Sequence, residues 1–315
     1  MTPKIVLLVH LYYLCKVKKQ VVMHIHILSP SGYIPSDNID QASNRLESYG
    51  HIVSIASHAK GKYGRFSGTE EERIQDLQNA INDPFIDAIL CSRGGYGLVQ
   101  IIDKIDITPL LTHPKLLIGF SDITVMHNAL AKYDIPSLHA IMTKHIATAS
   151  EEDEAFKRLI NILNNPSALP SPVCTSSHPL NRFGESCGML RGGNLSVLYG
   201  LRNTPFDIPE EEDTILFIED IAERPYHIDR MINNLRLSGV LKRLNGLIIG
   251  QFSECTEDPL MMSSIAERIA YAVSDYNYPV CFNFPAGHVD HNLPLLLNSH
   301  VNLCVADTNV VLSYK

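Results

Sequence analysis

Leu116-Leu117-Ile118-Gly119-Phe120-Ser121-Asp122-Ile123-Thr124 is the stretch on which the fold turns. Leu116, Leu117 and Ile118 make a short buried strand by composition, and Gly119 allows a sharp bend after it. Beyond the bend, Ile123, Met126, Leu130 and Tyr133 recur at helical spacing. Ser121 therefore falls between a strand end and a helix start. A hydroxyl there is lifted out of the sheet, with helix N–H groups facing whatever it attacks. The same place suits a plain helix cap. Because G-x-S-x-G is only half matched, this stretch alone leaves both roles open.

The flanking sequence repeats the strand-then-helix pattern. A first strand at 21–28 runs into the turn Ser29-Pro30-Ser31-Gly32. A helix is expected at 38–49, a strand at 52–55 and a long basic, Gly-rich loop at 58–69, whose segment 63–68 is placed to cover a site. Residues 70–82 read as a helix whose acidic first turn suits the helix dipole. A strand at 87–91 leads into Arg93-Gly94-Gly95-Tyr96-Gly97, and 98–105 is again helical in pattern. Alternating strands and helices imply a parallel sheet with helices on its faces, where ligands bind beyond the carboxyl ends of the strands.

Between 151 and 185 the composition shifts. After a helix at 151–163, Pro166, Pro170, Pro172 and Pro179 fall among Ser and Thr, the chemistry of a linker. A second unit starts with Gly192-Gly193-Asn194 and a helix marked by Leu195, Leu198 and Leu201. A strand from Thr214 ends at Glu219, and a helix through Ile228, Met231, Ile232 and Leu235 follows. Further strands are expected at 246–251 and 280–284, a helix at 262–273, and short strands from 293 to 314. The organisation is thus an extension at 1–22, an N-terminal α/β domain at 23–150, a linker at 151–185 and a C-terminal domain at 186–315.

The totals agree with two soluble cores. The chain has 315 residues, 45% hydrophobic and 19% charged, far from a disordered composition. A net charge of −8, with no basic block beyond Lys16 to Lys19, argues against nucleic-acid or anionic-membrane surfaces. Seven cysteines without a C-x-x-C pair point to free thiols in a reducing compartment. Cys91, Cys187, Cys255, Cys281 and Cys304 lie in or near apolar strands and read as core fillers. The apolar run at 5–15 is too short to span a bilayer and is followed by lysines, so 1–22 reads as an extension with Met23 an alternative start. A membrane anchor or uncleaved signal is its rival.

Three side chains could carry chemistry together. Glu219 is a carboxylate at the end of an apolar strand, although such acids often only cap the next helix. His288, in Pro285-Ala286-Gly287-His288, follows a strand and a Gly, where an imidazole keeps useful freedom. Ser121, His288 and Glu219 supply nucleophile, base and orienting acid, each at a strand's carboxyl end. A serine hydroxyl is a poor nucleophile until an imidazole takes its proton, and a carboxylate must fix the tautomer and stabilise the imidazolium. The Gly94-Gly95 loop can converge N–H groups on an anionic oxygen, or simply make a tight turn. A rival metal reading of His288, Asp290 and His291 lacks H-E-x-x-H spacing and a distant third ligand. His24 and His26, alternating on the first strand, read as structural.

In order along the chain, Ser29-Pro30-Ser31-Gly32, Arg93-Gly94-Gly95-Tyr96-Gly97, Ile118-Gly119-Phe120-Ser121-Asp122-Ile123-Thr124, Gly192-Gly193-Asn194-Leu195-Ser196, Ile218-Glu219-Asp220 with Glu223, Pro225-Tyr226, Asp229-Arg230, and Gly287-His288 with Asn292 form one series. The series resembles the serine LD-carboxypeptidases, which include muramoyltetrapeptide carboxypeptidase and the microcin C self-immunity peptidases. The likeness runs from about Val22 to the C-terminus.

The resemblance implies a triad of Ser121, Glu219 and His288, and an oxyanion hole from the backbone N–H groups of Gly94, Gly95 and Asp122. It implies an N-terminal α/β domain carrying the nucleophile, a C-terminal swivelling α/β domain with short strands, and a homodimer. The activity implied is metal-free and cofactor-free removal of the terminal D-alanine from murein tetrapeptide, at an L-to-D bond, in cytoplasmic peptidoglycan recycling. Asn194 and Arg230 are substrate-contact candidates by motif position. Cleavage of aminoacyl-nucleotides of the microcin type is the alternative within the class. Those relatives are expected to stack the base on an aromatic, often Trp, and this chain has none. A non-catalytic binding protein holding a phosphate or sugar-peptide in its glycine loops is the alternative outside it.

Overall fold

The computed structural model describes residues 21–210 and 213–315, so most of the expected extension at 1–22 lies outside the described residues. In the first half β1 (His24–Leu28), α1 (Ser36–Ser48), β2 (Ile52–Ile55), α2 (Glu70–Asn82), β3 (Ala88–Cys91), β4 (Leu116–Gly119), α3 (Thr124–Ala131) and β5 (Ser137–His139) succeed one another. Two more helices follow, α4 (Thr143–Thr148) and α5 (Glu154–Asn164). Helix α2 begins where its sequence says it must. Thr69 accepts from the Glu72 N–H, and the Glu72 carboxylate takes the Thr69 N–H in return.

The second half holds β6 (Val173–Ser176), β7 (Gly184–Asn194), α6 (Leu195–Gly200), β8 (Thr214–Ile221), α7 (Pro225–Leu237), β9 (Leu244–Ser253), α8 (Ile265–Ala272), β10 (Val280–Cys281), β11 (Leu295–Leu297), β12 (Ser299–Val305) and β13 (Asn309–Tyr314). One sheet has the order β11-β5-β4-β3-β1-β2 and is parallel except for β11. The other runs β10-β9-β8-β7-β12-β13-β6, parallel through β7 and antiparallel beyond it. The α/β architecture with two sheets is the one expected.

Several elements differ from their expectation, each for a local reason. The stretch 151–185 keeps its expected helix as α5, but the Pro-rich part beyond it also carries the sheet-edge strand β6 and the start of β7. Residues 98–105 make two 3₁₀ turns, Leu98–Gln100 and Ile102–Lys104, because Ile101 at φ −121 interrupts the helical run. Strand β10 stops at Cys281 instead of 284, since Asn283 takes a left-handed φ of 55. Helix α8 starts at Ile265, behind Met262 with φ 59, and a Ser264/Glu267 capping box fixes that start. Of the five cysteines expected in the core, only Cys91 and Cys281 are buried; Cys187 is exposed, and Cys255 and Cys304 are half-buried on the open side of the second sheet or its loops. An apolar neighbourhood in sequence does not say which face of a strand a thiol takes.

One hydrophobic core runs from the first sheet to the inner face of the second, joining Ile118 and Leu138 to Phe217, Ile248 and Leu303. A second core lies under α7 and α8. Polar ties cross the same junction. Thr124 at the start of α3 accepts the Asn194 N–H at 2.9 Å, and Arg191 pairs with Asp134 at 2.8 Å. A side chain at Gly193, whose φ is 139, would collide with Thr124, so the second glycine of that pair is what lets the two halves touch. No described helix is long and apolar enough to cross a membrane.

Candidate active site

Ser121 sits one residue beyond Phe120, which follows β4, and its φ is 67. That left-handed turn costs a non-glycine residue about 1–2 kcal/mol. It turns the chain abruptly from strand into the Ser121–Ile123 3₁₀ turn and then α3. Ser121 is therefore no helix cap: it makes no side-chain capping bond, and it is held at a strained corner.

The glycine-rich loop after β3 lies directly against this corner. A Cβ on Gly94 would stand 2.7 Å from Ser121 Cβ, 2.9 Å from its Oγ and 3.1 Å from the Asp122 nitrogen. Only glycine fits there. The Gly94 carbonyl accepts the Gly32 N–H at 3.0 Å, which binds the Ser29-Pro30-Ser31-Gly32 turn to the loop. Residues 63–68 pack over it, with Phe66 6.2 Å from Tyr96 and bridged to Gly32.

Two buried charges brace this region. Asp122 is 3% exposed and accepts the Leu98 N–H at 2.9 Å, fixing the far end of the glycine loop. Burial raises its carboxyl pKa, opposed by the Leu98 bond and by Arg73. Arg73, 2% exposed, donates to the carbonyls of Pro30 and Gly97, both at 2.9 Å, and to Gln100. It was invisible in the sequence, where it follows Glu70-Glu71-Glu72 and looks like a surface helix residue.

On the other sheet Glu219 is fully buried within β8, two residues before the strand ends at Ile221. Its Oε2 accepts from His288 Nδ1 at 2.7 Å, while its Oε1 is buried with no hydrogen-bond partner. With Nδ1 donating, Nε2 keeps its lone pair as the free basic nitrogen. Gly287, at φ 128, brings the loop against this carboxylate: a Cβ there would lie 3.0 Å from Glu219 Oε2. The His288 ring packs edge-on against Phe120, 4.9 Å between centroids, which places it beside the Ser121 corner. No hydrogen bond joins the Ser121 hydroxyl to His288 here.

Asp220, 1% exposed, accepts from Asn194 Nδ2, the Ser196 N–H and the Ile221 N–H. Burial pushes its carboxyl up to about 6, helped by the charge of neighbouring Glu219. Asn194, a substrate-contact candidate by motif position, is 3% exposed and caps α6, its Oδ1 accepting the Val197 N–H at 3.1 Å. Arg230 is exposed on α7, its guanidinium 5.9 Å from the Tyr226 ring, with no ion pair among the described residues. His24 and His26 share the Ser54 hydroxyl at 2.7 Å each. Asp290 and His291 are exposed, and among the described residues no three His, Cys, Asp or Glu side chains are grouped to hold a metal ion.

Residues 25–140 match the LD-carboxypeptidase N-terminal domain and residues 187–303 its C-terminal domain. The chain belongs to the LD-carboxypeptidase family. A Synechocystis relative, named in general terms as a carboxypeptidase, is 35% identical over 88% of this chain and 90% of its own length. The murein tetrapeptide carboxypeptidase of Pseudomonas aeruginosa is 28% identical over 84% of this chain and 88% of its own. Among solved structures, muramoyltetrapeptide carboxypeptidase from Oxalobacter formigenes superposes with a TM-score of 0.83 at 27% identity, covering 93% of this chain and 98% of that chain. The structure of MccF in complex with glutamyl sulfamoyl guanosine shares the fold, with a TM-score of 0.81 at 19% identity over 94% and 97% of the two chains. This member is a peptidase of that family, and the corner of Ser121 and the Glu219–His288 pair lie one in each matched domain.

Proposed function

We propose that this LD-carboxypeptidase is serine-type and releases the terminal D-alanine from murein tetrapeptide. The observation that carries the reading is the 2.7 Å bond from His288 to the fully buried Glu219, beside a strained serine corner. Substrate binding brings Ser121 Oγ within reach of His288 Nε2, a contact that commonly closes only in the complex. His288 then takes the hydroxyl proton as Oγ attacks the carbonyl of the penultimate L-residue. The Glu219 carboxylate holds the tautomer and stabilises the imidazolium. The N–H groups of Gly94, Gly95 and Asp122 receive the developing oxyanion, a contribution of about 3–4 kcal/mol per donor. His288 returns its proton to the leaving D-alanine nitrogen, and a water activated by the same ring hydrolyses the acyl-enzyme. Arg230 remains available to the substrate's carboxylates.

Cytoplasmic peptidoglycan recycling by a homodimer, without metal or cofactor, belongs to the same proposal. Light scattering on the purified chain checks the dimer. The name of the Pseudomonas relative favours a murein substrate, and the absence of Trp in this chain disfavours base stacking. The deciding experiment measures D-alanine release from murein tetrapeptide alongside labelling by a fluorophosphonate probe. Ser121→Ala is expected to fold and bind tetrapeptide but lose both signals, turnover by about 10³-fold or more. Near-wild-type turnover in that variant refutes the mechanism, and turnover of an aminoacyl sulfamoyl nucleoside but not of tetrapeptide transfers the site to the alternative substrate class.

A further inference from the structure

His139 ends β5, next to Gly119 of β4, and is completely buried. Both of its ring nitrogens are enclosed without a hydrogen-bond partner. Its ring meets Phe217 edge-on at 5.0 Å and Phe120 at 5.6 Å, and Phe120 is the residue that packs on His288. Burial, then the nearby His127 and His288, holds its pKa well below that of an ordinary histidine. An uncharged imidazole presents one N–H and one lone pair.

Asn292 stands on the other side of the same junction, 1% exposed. Its Oδ1 accepts the Gly287 N–H at 2.9 Å, which turns Nδ2 away from that loop, and Nδ2 is itself buried and unbonded. Asn292 lies three residues before Leu295, the β11 residue paired with His139, and its side chain opposes the fall in the imidazole pKa, although neither group completes a bond of ordinary geometry. Two buried side chains with unpartnered polar atoms, the Asn292 amide donor and an imidazole that offers an acceptor, thus stand together behind the loop that carries His288. An orphaned buried group is costly, so such pairs call for an account.

We propose that His139 is a positioning residue: its imidazole backs the Asn292 amide that ties down Gly287, and through it sets the aim of His288 on Glu219. A bond from Asn292 Nδ2 to the imidazole lone pair gives the amide donor a partner, satisfies one of the two ring nitrogens, and locks the amide in the orientation in which Oδ1 holds Gly287. The same ring presses Phe120 towards His288. His139 therefore braces the base from the loop behind it and from the strand carrying Ser121. It touches no reacting atom. The inference rests on the proposed roles of Ser121 and His288.

The test compares His139→Phe, which keeps a ring but no acceptor, with His139→Gln, which restores one, and with Asn292→Ala. Readouts are kcat and KM for D-alanine release, the rate of fluorophosphonate labelling at Ser121, and thermal unfolding. His139→Phe is expected to lower kcat and labelling about 10- to 100-fold with KM unchanged, the scale of a misaimed reacting group. His139→Gln should recover most of that loss. Asn292→Ala should match His139→Phe, and the double variant should be no worse than either single one. Wild-type kcat in His139→Phe, or losses that multiply in the double variant, overturns the positioning role while the functional reading stands. If His139→Phe does not fold, wild-type kcat in Asn292→Ala overturns it just as well. A wild-type enzyme that neither releases D-alanine nor takes the label overturns the functional reading, and this inference with it.

Discussion

Ser121 and Glu219 both stand at the carboxyl edge of a parallel sheet, yet the two edges are made in opposite ways. Around Ser121 the special feature is backbone: a left-handed serine, a glycine with no room for a Cβ, and a carbonyl tied to a neighbouring turn. Around Glu219 it is side-chain charge out of water: two adjacent buried carboxylates, one with an oxygen unpaired, and an imidazole on the other oxygen. In the proposed mechanism the first edge stores strain and aims N–H groups. In the same proposal the second stores electrostatic cost and aims a base. A nucleophile must be lifted clear of its sheet, whereas a base must be held in one tautomer, and these demands call on different parts of the residue.

That contrast can be broken, starting with the largest effect. Glu219→Gln should lower kcat by about 10²–10⁴-fold, through loss of the partner that orients His288, while the unfolding temperature stays at or above wild type because a buried charge is removed. A large fall in stability with intact turnover would mean that the second edge is structural. Gly94→Ala should cost about 10²–10³-fold in kcat with tetrapeptide binding retained, since the added methyl falls within 2.9 Å of the Ser121 hydroxyl. Turnover unchanged in that variant would show that the loop can recede and that backbone precision is not what the first edge contributes.

Smaller effects concern stability. Asp220 has a folded pKa of about 6 against 3.8 when exposed, so the folded protein binds its proton more tightly. Its contribution is most favourable below the unfolded value and is lost as pH rises through about 6, a change of up to about 3 kcal/mol. Unfolding by urea at pH 4 to 7 should show this slope, and Asp220→Asn should flatten it even though the variant is weaker overall. Ser121→Gly should be inactive and more stable by up to about 1 kcal/mol, because glycine accepts the left-handed turn without penalty. A destabilised Ser121→Gly would show that the corner is not strained.

Much of the first edge was legible in the chain. The apolar run before Gly119 and the helical spacing after Ser121 are local signals, and the strand, the turn and α3 appear where they indicate. Helix α2 was equally plain, because its capping box and acidic first turn are encoded within four residues. The second edge was legible only in outline. Glu219 could be placed on a strand, but nothing nearby in sequence distinguishes a helix cap from a buried partner for a histidine at 288. Asn194 stood out by motif position, but that it caps α6 and holds Asp220 could not be read there, since a motif records a position and not what the amide touches. Arg73 and His139 gave no signal that separates a bracing residue from surface or core, and Asn292 appeared only as a member of the motif series, with no hint of what its amide holds.

The order of strands and helices, the glycines that must bend, and the residue types able to carry acyl transfer were therefore determined by sequence alone, because they depend on periodicity and on steric limits acting over a few residues. Tertiary structure alone decided that Glu219 meets His288, that Gly94 lies on Ser121 and that Asp220 is held by Asn194. Those contacts join segments that the chain separates widely, and only the burial of a shared core brings them within the few ångströms over which hydrogen bonds and desolvation act.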